Sequence, residues 1–343
     1  MRGDTAQFVL APGMRVEIQG DSGVLRHFTS EYGLEHGSSE ADTASDPPRL
    51  VIRFGRQARD AAQDVGSALI RRRYKTVAWR ASISAPDADP LRADIEVRGA
   101  PRWFALSLVQ GYLVEPLVSV VAAEHGRVLL PAAGIVTAGE ALLLMGRSRT
   151  GKSSLSARAL VSGARLLGDD QVFVEEDGTV RRFPRRLRVY DDLARVAPEA
   201  YRRLSVRSRL GLRARQLARV ASGGFIRPSL AVPLDELGRE ASEAKLTRFV
   251  LLERRAGVAD LVAEPLDTGA AVATSMEVLA EQRRYLATSG AEWAHRLAQL
   301  AQAEAAILSA ALGGVQRQRI LIPADWTAPR AVRALVEAVP IGS

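Results

Sequence analysis

Residues 141–154 read ALLLMGRSRTGKSS, and this stretch constrains the chain more than any other. An apolar run too short to span a bilayer leads into Gly146, and after four intervening residues come Gly151, Lys152 and Ser153. The pattern G-x-x-x-x-G-K-[ST] is satisfied at every fixed position, with a buried strand predicted before it and a helix after it. It requires a strand–loop–helix unit, and the order of elements around it is α/β.

The residue types suit an anion. Glycines let the loop fold tightly, so that successive backbone N–H groups point inward at phosphate oxygens. A helix starting near Lys152 adds its positive end to the same place. Gly146, Ser148, Arg149, Thr150, Gly151, Lys152, Ser153 and Ser154 are the expected cradle for a nucleotide's phosphates, with Lys152 reaching the β- and γ-phosphates and the Ser153 hydroxyl on Mg²⁺. Arg149 stands where many such loops carry glycine; it either adds charge at the phosphates or points to solvent, and solvent is the preferred reading.

Asp169 and Asp170 follow Lys152 by 17 and 18 residues. A helix over 152–162, a turn at Gly163 and a strand over 164–168 consume that interval. If this strand runs parallel to the ALLLM strand in one sheet, its carboxyl end emerges on the phosphate side. Adjacent side chains on an extended chain face opposite ways. One carboxylate can then address Mg²⁺ while the other accepts the proton of an attacking hydroxyl. Elsewhere such a pair is commonly a cap or a solvated turn; behind a complete phosphate loop it points to catalysis, with Asp170, Asp169 and Lys152 as the catalytic candidates.

The flanking chain reads as two domains, a small β-rich one over 1–100 and the α/β domain over 101–343. In the first, strands are predicted within 7–19, broken at Pro12-Gly13, and at 49–54, 76–83 and 92–99. Residues 33–48 lack periodic apolar positions and read as an exposed, mobile loop. A helical apolar stretch at 103–126 leads into strands at 127–136 and 140–146. A hairpin over 171–183 turns at Asp177-Gly178. Residues 186–220 read as helical and arginine-rich, 248–255 and 319–323 as strands, 269–312 as long helices, and 329–339 as a closing helix.

The chain has no cysteine and only four histidines, none paired at metal-ligand spacing, which argues against disulfides and against thiolate or histidine-rich metal sites. There is no run of 18 apolar residues and no signal-peptide pattern at the N-terminus, so a cytoplasmic protein with no membrane span is expected. A net charge of +8, carried almost wholly by arginine, suits an anionic partner. Aromatic residues are 5% of the chain and no RNA-binding signature occurs, which disfavours nucleic acid. Arg185, Arg186 and Arg188 can approach a transferred phosphate. The segment 201–220 carries seven arginines and no acidic residue. Its Leu204, Leu210, Leu212, Leu217 and Val220 are expected to form one buried stripe, with the arginines either docking an acidic partner or simply solvated.

The phosphate loop followed by GARLLGDDQVFV resembles the HPr kinase/phosphorylase superfamily, P-loop phosphotransferases related in fold to phosphoenolpyruvate carboxykinase. The similarity is clearest over 128–190 and is not evident before residue 100. It implies Gly146–Ser154 as the ATP cradle, Ser153 and Asp169 near Mg²⁺, and Asp170 as catalytic base. Two departures stand out. Where the family often has a histidine, 15 residues before the first loop glycine, this chain has Pro131, and His125 is displaced from that place. The glycine-rich signature of HPr kinases after the aspartates is absent, which argues against HPr as acceptor and against phosphorolysis. The resulting expectation is transfer of the γ-phosphoryl group of Mg²⁺-ATP to a hydroxyl, a protein or peptide serine by resemblance. A small-molecule hydroxyl and a non-catalytic nucleotide sensor are the alternatives. Each is compatible with a homo-oligomer.

Overall fold

At Pro12-Gly13 the chain reverses, with Gly13 in the left-handed region at φ +69° that residues with a Cβ disfavour. The predicted hairpin forms there: β1 (Asp4–Ala11) pairs antiparallel with β2 (Met14–Gly20). The computed structural model describes residues 4–33, 47–55, 67–147, 150–221, 223 and 229–339. Most of the segment 33–48, together with Ser148 and Arg149, therefore lies outside the described residues. Two units form, residues 1–129 with 276–306, and 130–275 with 307–343.

In the first unit, helix α1 (Ser22–Tyr32) starts at Asp21, whose Oδ1 accepts from the N–H groups of Gly23 and Val24. Such a cap satisfies donors that the helix itself leaves open. Strand β3 (Leu50–Phe54) lies parallel to β2. With β4 (Ala68–Tyr74), β5 (Val77–Ile83) and β6 (Leu91–Gly99) the sheet order is β1-β2-β3-β6-β5-β4. The predicted helical stretch appears as α2 (Arg102–Val109), a π-helical turn at Gln110–Val114, and α3 (Glu115–Glu124). By length and composition it is apolar enough to cross a membrane, but most of it is buried within the protein. Strand β7 (Arg127–Leu130) follows.

In the second unit, β8 (Ala132–Thr137) and β9 (Glu140–Gly146) form a hairpin over Ala138 and Gly139, both at positive φ. The phosphate-loop segment leads into α4 (Lys152–Val161), then β10 (Arg165–Gly168). Strand β10 pairs antiparallel with β8, which pairs antiparallel with β9. Thus β10 runs in the direction of β9 within the same sheet, and its carboxyl end leaves on the side of the loop. The hairpin β11 (Val172–Glu175) and β12 (Thr179–Arg182) turns at Gly178, as predicted.

Residues 186–220 depart from the helical expectation at their start. Leu187 and Val189 are buried and Arg188 between them is not, a period-two pattern. They form β13 (Leu187–Val189), with α5 (Leu193–Val196), α6 (Pro198–Arg203) and α7 (Val206–Ala221) behind it. Its partner is β14 (Leu230–Val232). The expected apolar stripe is also divided. Leu204 and Leu212 are buried, whereas Leu210, Leu217 and Val220 are exposed, because Ser208, Arg215 and Arg219 share the inward face of α7 with Leu212.

Strand β15 (Arg239–Glu240) flanks β10, and β16 (Glu243–Arg255) runs through the middle of the sheet. One edge of β16 pairs with β9; the other pairs with β12 at its start and with β18 (Gln316–Pro323) along its end. Strand β17 (Val262–Pro265) adds to β18. Helices α8 (Thr268–Gln282), α9 (Arg284–Ala287) and α10 (Ala291–Gly313) precede β18, and α11 (Ala328–Ala338) closes the chain. Ile135, Leu144, Leu166, Val250 and Ile322 of the sheet share a core with Leu155 of α4, Leu193 of α5 and Leu335 of α11. The observed class is α/β.

The first unit takes in residues beyond 100 through a buried ion pair. Arg283 donates to both carboxylate oxygens of Glu304, at 2.7 and 2.6 Å, and to Ser119 Oγ and O of α3. Removing one charge strands the other in a dry interior. Glu304→Gln should therefore lower the stability of this unit by about 3–5 kcal/mol, read as an earlier first transition in urea. A wild-type unfolding curve would show the pair to be dispensable.

Candidate active site

The loop after β9 is held from below. Thr150 is buried, and its hydroxyl donates to Arg147 O at 2.9 Å. Gly151 sits at φ +106° as the cap of α4, and no side chain caps that helix end. The first N–H groups of an α-helix lie beyond its own hydrogen-bond ladder, which makes such an end a place where an anion can bind. Leu335 and Val332 of α11 pack under Gly151, within 3.4 and 3.6 Å of where a Cβ would stand. Lys152 opens the helix, its Nζ donating to Gly146 O at 2.5 Å and Arg147 O at 3.3 Å. Ser153 and Ser154 follow, half-buried in the first turn. Gly146, Thr150, Gly151, Lys152, Ser153 and Ser154 therefore come together, while Ser148 and Arg149 are outside the described residues.

The aspartates leave β10 on a tight turn. A Cβ at Gly168 would collide with the carbonyl oxygen of Gln171, so only glycine fits there. Asp169 turns inward and is buried, its Oδ2 accepting the Arg188 N–H of β13 at 3.0 Å. Asp170 turns outward, half-exposed, with Arg185 Nη1 3.3 Å from its Oδ2. The two carboxylates thus face opposite ways, although the pair lies on a bend after β10 rather than on the extended segment that the sequence predicts.

Burial, with the charge of Asp170 next, raises the Asp169 carboxyl from its ordinary 3.8 to about 7, against the Arg188 N–H and the charges of Arg185 and Arg188. The Lys152 ammonium is lowered by burial, and the charges of Asp170 and Asp169 oppose that shift. Phosphate loop and aspartate pair thus act on one another electrostatically. Tyr190 joins them: burial, then Asp170 and Asp169, raise its phenol. The only sequence signal for Tyr190 was its place just beyond the Arg185–Arg188 run. Gln171, buried beside the pair, has an Oε1 with no hydrogen-bond partner.

The donors fit Mg²⁺ better than a protein-caged metal. Among the described residues no group of three or more His, Asp or Glu could hold a metal. Mg²⁺ is commonly held by one or two carboxylates and the oxygens of a phosphorylated substrate. A buried carboxylate raised by desolvation and a like charge is one that a cation would stabilise; the Ser153 hydroxyl is the second donor. Pro131 follows β7 and carries no titratable group, and His125 bonds Val121 O at the end of α3. A cavity of about 400 Å³ lined by Thr137, Ser162, Arg165 and Arg239 lies at the other end of α4, away from Gly151 and Lys152.

No protein-family model matches this chain, and neither does any curated protein.

Because folding raises the Asp169 carboxyl, the metal-free fold takes up a proton there. Its contribution is fully present below 3.8 and is lost as pH rises through about 7. In EDTA, Asp169→Asn should match the wild-type Tm near pH 4 and exceed it by at least about 2 °C at pH 8, as scanning calorimetry would record. A pH-independent difference would contradict the burial argument.

Proposed function

We propose that the protein is a Mg²⁺-ATP-dependent kinase of the HPr kinase-like P-loop type, acting in the cytoplasm on a hydroxyl acceptor. The observation that carries this reading is the topology. Strand β10 runs in the direction of β9 in one sheet, so Asp169 and Asp170 leave it on the same side as Lys152 at the start of α4. Their charges act on the Lys152 ammonium. A simple anion-binding loop has no need of two carboxylates there. A phosphoryl-transfer site needs both signs, a cationic cradle for the phosphates and anionic groups for metal and proton.

The roles follow from the environment of each group. Backbone N–H groups of the loop and α4 hold the phosphates, and Lys152 moves from its carbonyl partners onto the β- and γ-oxygens. When bound, Mg²⁺ neutralises charge on those oxygens. Ser153 and Asp169 would hold it, with Asp169 kept in place by the Arg188 N–H. Asp170 faces the open side and accepts the proton of the acceptor hydroxyl as its oxygen forms the new bond to phosphorus. The bond from the γ-phosphorus to the bridging oxygen breaks, and ADP leaves with that electron pair. Arg185, beside Asp170, can bind the oxygens of the transferred group. A protein or peptide serine is the preferred acceptor by resemblance, and a small-molecule hydroxyl is the rival.

The pair variants test this. Asp170→Asn should bind Mg²⁺-ATP with near wild-type affinity but transfer about 10²–10⁴-fold more slowly. Asp169→Asn should need more Mg²⁺ for the same rate, and Lys152→Ala should lose nucleotide affinity in calorimetry. Transfer of label from γ-labelled ATP into cell extract gives the readout. Full activity in both aspartate variants would end the kinase reading.

A further inference from the structure

Helix α7 has its apolar side outward. Val206, Leu210, Leu217 and Val220 recur at helical spacing along one stripe, and they are 65%, 57%, 70% and 72% exposed. The opposite side is anchored by polar groups. Arg215 Nε donates to Ser229 O at 2.8 Å, Arg219 pairs with Asp191 at 2.8 Å, and the Ser208 hydroxyl donates to Glu236 at 2.9 Å. Rolling the helix to bury its leucines would break all three. Arg213 lies within the outward stripe at 100° per residue, and Arg207 and Arg209 flank it on either side. No acidic residue occurs anywhere in α7.

Two observations choose the occupant. First, two copies of α7 face to face would bring arginines together with nothing to neutralise them, so the complement is acidic as well as apolar. Second, α7 lies against β14, β14 pairs with β13, and Asp169 holds the Arg188 N–H of β13. The helix that carries the stripe is therefore linked through β14 and β13 to the segment that holds Asp169.

We propose that the outward face of α7 docks an acidic amphipathic helix of the polypeptide that accepts the phosphoryl group. Its apolar side chains, three and four residues apart, cover Val206, Leu210, Leu217 and Val220, and its carboxylates meet Arg207, Arg209 and Arg213. The acceptor role rests on the kinase reading above; the docking face itself does not.

The probe is a fluorescein-labelled helical peptide of Glu and Leu with its leucines on one side, titrated against the full chain. A peptide of the same composition with leucines scattered around the helix is the control. The one-sided peptide should bind, more weakly as salt rises. Leu210→Ser with Leu217→Ser should weaken it about tenfold or more, as should Arg207→Glu with Arg213→Glu. All four positions being exposed, the variants should keep the wild-type Tm and Mg²⁺-ATP affinity. Equal binding of the scattered peptide would overturn the proposal. So would binding to phosphatidylglycerol vesicles without binding to the peptide, or a dimer of the chain lost on Leu210→Ser with Leu217→Ser. Nucleotide calorimetry on the same samples separates the two readings. ATP bound without peptide ends the docking face alone, whereas peptide bound without ATP ends the kinase reading and the acceptor role with it.

Discussion

Strand β16 has to satisfy the backbone of 13 residues on two edges. Its inner edge takes β9 in parallel register, and that pairing fixes where the phosphate loop leaves the sheet. Its outer edge is divided between β12 and β18, so the hairpin beyond the aspartates and the strand leading to α11 are aligned on one template. Parallel strands need crossovers and cannot be joined by tight turns. Helix α4 follows β9 and α11 follows β18, and Leu335 and Val332 of α11 lie beneath Gly151 at the start of α4.

What the sequence makes legible is what short-range physics determines. Pro12-Gly13 and Asp177-Gly178 specify their turns, because only a residue tolerant of positive φ closes them. The order of strand, loop, helix and strand around Gly151-Lys152 and the aspartate pair is readable because the glycine turn and the apolar runs beside it are local signals. The direction of β10 was available only as a condition, and the interposed β8 satisfies it.

Other features depend on distant partners and are hidden in the linear pattern. Strand β13 is three residues inside an arginine-rich run, and its period is set by β14 and by the Asp169 carboxylate. Helix α1 and strand β4, the latter ending in four exposed residues, have too little apolar periodicity to announce themselves. In α7 the period is helical, yet its leucines face both ways, since Asp191 and Ser229 recruit the arginines on the inner side. Periodicity identifies a helix face; it does not say which face the rest of the chain will claim.

The interposition of β8 has a metrical consequence. Neighbouring strands lie about 4.8 Å apart, so the ends of β9 and β10 stand about 10 Å from one another. Had the two strands been adjacent, lysine and carboxylates would close on each other directly and neutralise the site. With one strand between them, β8 works as a gauge, setting the ends of β9 and β10 two strand spacings apart. A strand that contributes no side chain to the candidate site sets the spacing of the two segments that do.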